Sequence, residues 1–175
     1  MRNYLISYDQ YETILQADHL DPEQLRAELP VDLVQLLTLP IQQDADGNFL
    51  IVSKEGLKWV ETGNKPDYSY WQNRTGFECA LNKVNLQDFG VVEEYSSNLE
   101  YQSELFLKYG LYFSLLLFQR LSKMGETKFK VIFVFSIFRY VDGVICFHSI
   151  RKDEFYIEDD FEKQPFTQGI LTLQG

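Results

Sequence analysis

The sequence predicts an α+β fold in which an antiparallel sheet packs against one long helix. Apolar residues alternate along 129–138 and return along 144–150, a period of two that is typical of paired strands. The stretch of about 99–123 has helical character, and its middle is apolar nearly all round, which indicates a helix buried on several sides. We therefore expect the 129–150 hairpin at the centre of the sheet, against that helix.

The N-terminal part is predicted to be α-rich, with two short helices. Asp21 can cap a helix whose first position holds Pro22, a residue suited to that position. This helix should end near Leu29, because Pro30 disfavours helical geometry in the residue before it. Pro30 then opens a second short helix that Pro40 closes.

The segment 44–55 has two interpretations. Asp46-Gly47 lies between two apolar-containing runs, which favours a β-hairpin. The segment also matches part of a calcium loop, whose ligands at positions one, three, five and twelve would be Asp44, Asp46, Asn48 and Glu55. Position six of such a loop needs glycine and here is Phe49, so we favour the hairpin and leave cation binding open.

The remaining elements are short, apart from the central hairpin. The runs 77–81 and 84–89 are ambiguous between helix and strand, and 170–173 is a further candidate strand. Asp142-Gly143 is predicted to be the turn of the central hairpin. A stretch rich in glycine, proline and polar residues at 62–70 gives a soft boundary between an N-terminal subdomain (1–62) and an α+β core (71–175).

The charge excludes some partners. With 26 acidic and 16 basic residues, the net charge is −10, which opposes nucleic-acid and anionic-membrane binding. The longest uncharged apolar run, 109–119, is much shorter than the roughly 20 residues of a membrane-spanning helix. Two cysteines make no disulfide framework, so we expect a soluble, cytoplasmic protein in a reducing compartment.

Cys146 and His148 are the side chains with the clearest catalytic potential. Two residues apart on a strand, they point to the same face and could serve as nucleophile and base or as two metal ligands. Apolar residues flank Cys146, however, and buried cysteine usually behaves as a small hydrophobe. We therefore predict a structural role for both, with no catalytic residue, metal or cofactor.

The acidic segment 153–162 interleaves carboxylates with aromatic side chains. It is either a solvated segment anchored by its aromatics or a docking surface for a basic partner, with carboxylates steering association and aromatics supplying contact area. The predicted partner-binding residues are Asp153, Glu154, Tyr156, Glu158, Asp159, Asp160 and Glu162. The competing acidic surface at the other end of the chain consists of Asp21, Glu23, Glu28 and Asp32.

The C-terminal third resembles small bacterial immunity proteins encoded beside secreted or contact-dependent toxins. The resemblance rests on a strand ending in Phe-Ser (128–136), a strand with Cys-Phe-His and Arg (143–151) and an acidic-aromatic tail (158–162). The family pattern has one more spacer residue between Cys146 and His148, and residues 1–95 lie outside the match.

The resemblance implies a non-enzymatic immunity or antitoxin-type protein that neutralises a cognate basic toxin domain. A nuclease fits this expectation, because an acidic surface complements a phosphate-binding active site. Two alternatives stay open: a small enzyme using Cys146 and His148 or a carboxylate-bound divalent cation, and a scaffold protein without ligand chemistry.

Overall fold

The computed structural model describes residues 5–6, 21–52, 68–89, 99–136, 142–154 and 169–175. Its helices are α1 (Pro22–Glu28), α2 (Val31–Thr38), α3 (Arg74–Leu81) and α4 (Leu99–Leu121), with a 3-10 helix at Leu86–Phe89. Its strands are β1 (Leu5–Ile6), β2 (Ile41–Gln43), β3 (Phe49–Ile51), β4 (Val84–Asn85), β5 (Phe129–Ser136), β6 (Asp142–Ser149) and β7 (Gly169–Gln174). None of the helices it describes combines the length and the apolar character that a membrane span needs.

The predicted α+β fold is confirmed. A five-stranded sheet has the order β1-β7-β5-β6-β4, and β2 and β3 form a separate two-stranded hairpin. β5 pairs antiparallel with β6 on one side and with β7 on the other, while β1 runs parallel to β7. The β5–β6 hairpin therefore lies in the interior of the sheet, as predicted by the apolar residues on both faces of the strand at 131–135.

The core lies where β5 and β6 meet α4. Phe133 is fully buried, and a Cβ placed at Gly110 of α4 would come within 2.1 Å of its ring. A Cβ at Gly143 of β6 would lie 2.2 Å from the ring of Phe106. The two glycines thus allow large aromatic rings to fill the space between helix and sheet.

The N-terminal helices pack onto the same core. The Asp21 carboxylate accepts a hydrogen bond from the Glu23 amide and caps α1, which begins at the predicted residue. Arg120 of α4 donates to the carbonyl oxygens of Leu37 and Leu39, at the C-terminal end of α2. One apolar cluster includes buried side chains from α1, α2, β3, α4 and the central strands. The division into 1–62 and 71–175 stays a prediction.

Three local predictions need correction or detail. Asp142 and Gly143 are the first residues of β6, paired with Ser136 and Phe135, so they are not the hairpin turn. The connecting residues 137–141 lie outside the described part of the chain. The ambiguous run at 77–81 belongs to α3, and 84–89 divides into β4 and the 3-10 helix.

Candidate functional site

The β2–β3 turn is organised by Asp44. Its Oδ1 accepts hydrogen bonds from the amides of Asp46 (3.0 Å) and Asn48 (2.8 Å), and its Oδ2 accepts from the Asn48 side chain (2.7 Å). Gly47 has a φ of +82°, a left-handed conformation that suits glycine. The hairpin prediction is therefore confirmed, with β2 and β3 in antiparallel register around the Asp46-Gly47 turn.

This arrangement gives little support to the calcium-loop interpretation. Asp44 directs its oxygens at N–H donors of its own turn, whereas a calcium ligand must direct them at the cation. The part of the chain that the structure describes contains no group of three or more His, Cys, Asp or Glu side chains suited to a metal ion. Glu55 lies outside the described residues.

Side chains from the loop before α3 and from its first turn hold the hairpin turn from outside. The Tyr68 hydroxyl donates to Asp46 Oδ2 (3.2 Å) and accepts from the Asn48 side-chain amide (2.8 Å). Arg74 donates to the Asp46 carbonyl oxygen and to Asn48 Oδ1. Burial raises the pKa of Tyr68 and the carboxylates of Asp46 and Asp44 add to the rise, against a lowering by Asn48.

Glu78 of α3 is the centre of a buried polar network. Its fully buried carboxylate accepts hydrogen bonds from the backbone amides of Phe49 and Ser149, each at 2.7 Å, and from the Ser149 hydroxyl. Arg151 donates two bonds to the same carboxylate, at 2.9 and 2.7 Å. A single side chain thereby fastens the β2–β3 hairpin and the end of β6 to α3.

Asn82 completes this network one helical turn later. Its Oδ1 accepts from the Ile51 amide (2.9 Å), and its Nδ2 donates to the carbonyl oxygens of Phe49 (2.8 Å) and Phe147 (3.2 Å). Glu78 and Asn82 therefore form hydrogen bonds with the backbone groups on the free edge of β3, as a neighbouring strand would. We call Glu78, Asn82, Ser149 and Arg151 the Glu78 network; all of its bonds connect elements of the fold.

The described part of the predicted partner surface is short. Asp153 is exposed and has a φ of +64°. The Oε2 atom of Glu154 accepts from the Thr75 amide and hydroxyl, both at 3.0 Å, at the N-terminal end of α3. The Glu154 carboxylate thus connects the residues after β6 to the N-terminal end of α3. The other predicted partner-binding residues, Tyr156, Glu158, Asp159, Asp160 and Glu162, lie outside the described residues.

The N-terminal acidic surface is fully described. Asp21, Glu23 and Asp32 are exposed on the outer side of α1 and α2, whereas Glu28 forms an ion pair with Lys108 of α4. Among the described residues, exposed carboxylates therefore occur in both acidic surfaces, at Asp21, Glu23 and Asp32 in the N-terminal set and at Asp153 in the C-terminal one.

Cys146 and His148 are both 5% exposed, on the face of β6 that also packs against Cys79 of α3. His148 Nδ1 lies 2.9 Å from the carbonyl oxygen of Ser149, which can only accept, so Nδ1 carries the proton. Burial lowers the pKa of His148 and favours its neutral form. This environment suits the structural role predicted from the sequence more than a nucleophile and its base.

One cleft of about 170 Å³ lies between α2, β3, β4 and the C-terminal end of α3. The Asn82 side chain on its wall already bonds to three backbone groups, and Asn85 donates to Asp88. Ligand pockets usually measure about 300–1,000 Å³. The cleft is accordingly too small for a typical substrate or cofactor.

Sequence reasoning missed the Glu78 network. Its one local signal is a charged residue inside the otherwise apolar run 77–81, because such a residue is buried only when it is paired. Nothing near Glu78 indicates that its partners are Phe49, Ser149 and Arg151.

A comparison with known proteins identifies a matching family. The model of the family described as Uncharacterized protein PM0498 family matches residues 14–174. No curated protein and no solved structure matches the chain.

Proposed function

The chain belongs to the family described as Uncharacterized protein PM0498 family. We propose that it is an immunity-type protein that binds and neutralises a cognate basic toxin domain. An acidic surface of the protein occludes the toxin's active site, and a nuclease is the class of toxin that such a surface fits best. No catalysis by the protein itself is part of this function.

The observation that supports the proposal is where the charge and the reactive groups lie. The chain carries a net charge of −10, and Asp21, Glu23, Asp32 and Asp153 hold their carboxylates at the surface. Cys146 and His148, in contrast, are buried. Exposed charge of one sign accelerates association with a partner of the opposite sign and selects against partners of the same sign.

The test uses the basic toxin domain encoded beside this gene, if one is present, as the binding probe. Wild-type protein should protect cells that express the toxin and should bind it with an association rate that falls as salt rises. Failure of the wild-type chain to protect against or bind such a toxin would contradict the proposal.

Two matched sets of substitutions then locate the interface. The C-terminal set converts Glu158, Asp159 and Asp160 to the corresponding amides and leaves out Glu154, whose carboxylate accepts hydrogen bonds from Thr75. The N-terminal set converts Asp21, Glu23 and Asp32 in the same way; asparagine at position 21 keeps a helix cap. We expect the C-terminal set to slow association at unchanged melting temperature, and an effect confined to the N-terminal set would place the interface on α1 and α2.

A further inference from the structure

Cys79 and Cys146 form a buried thiol pair. Cys79 on α3 is 1% exposed, Cys146 on β6 is 5% exposed, and both pack against Ile132 of β5. The three side chains form one buried cluster, separate from the main core, between α3 and the central strands. The two cysteine side chains therefore lie together at the junction between the helix and the sheet.

The register of this junction is fixed on both sides of the pair. Glu78 accepts from the Ser149 amide at 2.7 Å, and Asn82 donates to the Phe147 carbonyl oxygen at 3.2 Å. These bonds do not depend on the thiols. They hold α3 against β6 so that the two cysteine side chains stay in the same buried cluster.

We propose that Cys79 and Cys146 form an intramolecular disulfide in the folded protein when it meets a hydroperoxide. In the first step one thiolate attacks a peroxide oxygen, the O–O bond breaks, and a sulfenic acid and one water or alcohol result. The second thiol then attacks the sulfenic sulfur, the S–O bond breaks, and water leaves. The two thiols lose two electrons, which reduce the peroxide, and α3 becomes covalently linked to β6.

The environment of the pair sets the pace of this reaction. Burial raises the pKa of Cys79, and the contact with Cys146 raises it further, so the protonated thiol dominates at neutral pH. Because the thiolate is the reactive form, oxidation should be slow at pH 7 and faster at higher pH. The dithiol is then the resting state in a reducing compartment, and the disulfide forms during sustained oxidation.

The disulfide should stabilise the fold. It joins positions 79 and 146, and closing so long a loop restricts the unfolded chain strongly. For a protein of this size, an unstrained link of that length should raise the melting temperature by about 10 °C.

The experiment treats the folded wild-type protein with hydrogen peroxide at pH 8 and follows its intact mass, its thiol count and its melting temperature. We expect the loss of two hydrogens and of both thiols, a peptide linking positions 79 and 146, a higher melting temperature, and reversal by dithiothreitol. Cys79→Ala and Cys146→Ala, as matched controls, should form no such link and show no rise in melting temperature.

Three results would overturn the proposal: oxygen added to one cysteine without a link, disulfides only between molecules, or a link that forms only in denaturing urea. Peptide mapping of the wild-type protein decides among these even if a control variant does not fold. Toxin binding is not part of this experiment, so its outcome is independent of the proposed function.

Discussion

Replacing Glu78 with alanine should destabilise the protein far more than the loss of an ordinary surface carboxylate. The substitution removes the acceptor of the Phe49 and Ser149 amides and the counter-charge of Arg151, whose side chain is only 13% exposed. Removing one partner of a buried ion pair costs about 3–5 kcal/mol. Each orphaned donor costs about 1–3 kcal/mol, but these penalties overlap, because water entering the vacated space can satisfy some donors. We expect a total loss of about 3–5 kcal/mol.

Urea unfolding of wild type and Glu78→Ala measures this loss. The two free energies of unfolding can be compared directly when both proteins have the same m-value. The control is Glu126→Ala, which removes an exposed carboxylate and should change stability by no more than about 0.5 kcal/mol. Amide hydrogen exchange should also show lost protection at Phe49 and Ser149. A loss below about 1 kcal/mol would refute the role assigned to Glu78.

A double-mutant cycle separates the ion pair from the backbone bonds. Glu78→Leu and Arg151→Met together remove both charges, and such a replacement is often far less costly than breaking the pair. The Phe49 and Ser149 amides still lose their acceptor, so stability should return only in part. The expected coupling energy is about 1–3 kcal/mol, and strictly additive single losses would show that the two side chains do not interact.

The remaining predictions concern the core and the buried histidine. Phe133→Ala should cost about 3–5 kcal/mol in urea unfolding, because the ring is fully buried, and a loss below about 1 kcal/mol would remove Phe133 from the core. Gly110→Ala should cost about 1–3 kcal/mol, since the new Cβ would meet the Phe133 ring, and an unchanged stability would contradict the close packing. His148 is buried beside Glu78, Lys130 and Arg151, and its pKa lies below the ordinary 6.5, so its stabilising contribution is complete above that pH and falls as the pH drops below it. Unfolding measured from pH 7.5 to 5 should show a shallower decline for His148→Asn than for wild type, and equal slopes would refute the argument.

The periodic parts of the sequence predicted the fold well. The apolar patterns along 129–138 and 144–150 identified β5 and β6, and the apolar stretch around 99–123 identified α4, because burial on a strand or a helix leaves a pattern in the chain. The Asp-Gly dipeptide, in contrast, was a correct turn signal at Asp46-Gly47 and a wrong one at Asp142-Gly143. At the second site glycine is required because a Cβ there would collide with the ring of Phe106. This contact is between residues far apart in the chain, so no local sequence pattern indicates it.

The Glu78 network could not be predicted for a similar reason. Its bonds join Phe49, Glu78 and Ser149, which are separated by 29 and 71 positions along the chain. Propensity and periodicity act over a few residues, so they show that Glu78 is unusual within an apolar run without naming its partners. The contact between Glu154 and Thr75 could not be predicted for the same reason, because the two residues lie 79 positions apart in the chain.

Arg151 and Glu154, two charged residues of the C-terminal surface, form bonds within the fold. Replacing either of them would therefore not test partner binding alone. Within 151–154, Arg151 binds Glu78 and Glu154 binds Thr75, which leaves Lys152 and Asp153 exposed with opposite charges. A test of docking by this surface therefore targets the acidic residues further along the chain, Glu158, Asp159, Asp160 and Glu162. Neutralising Glu154 should weaken the α3 N-terminus, so binding and stability would fall together. Neutralising Glu158, Asp159 and Asp160 should lower the association rate alone, and only that second outcome would support direct contact with a basic partner.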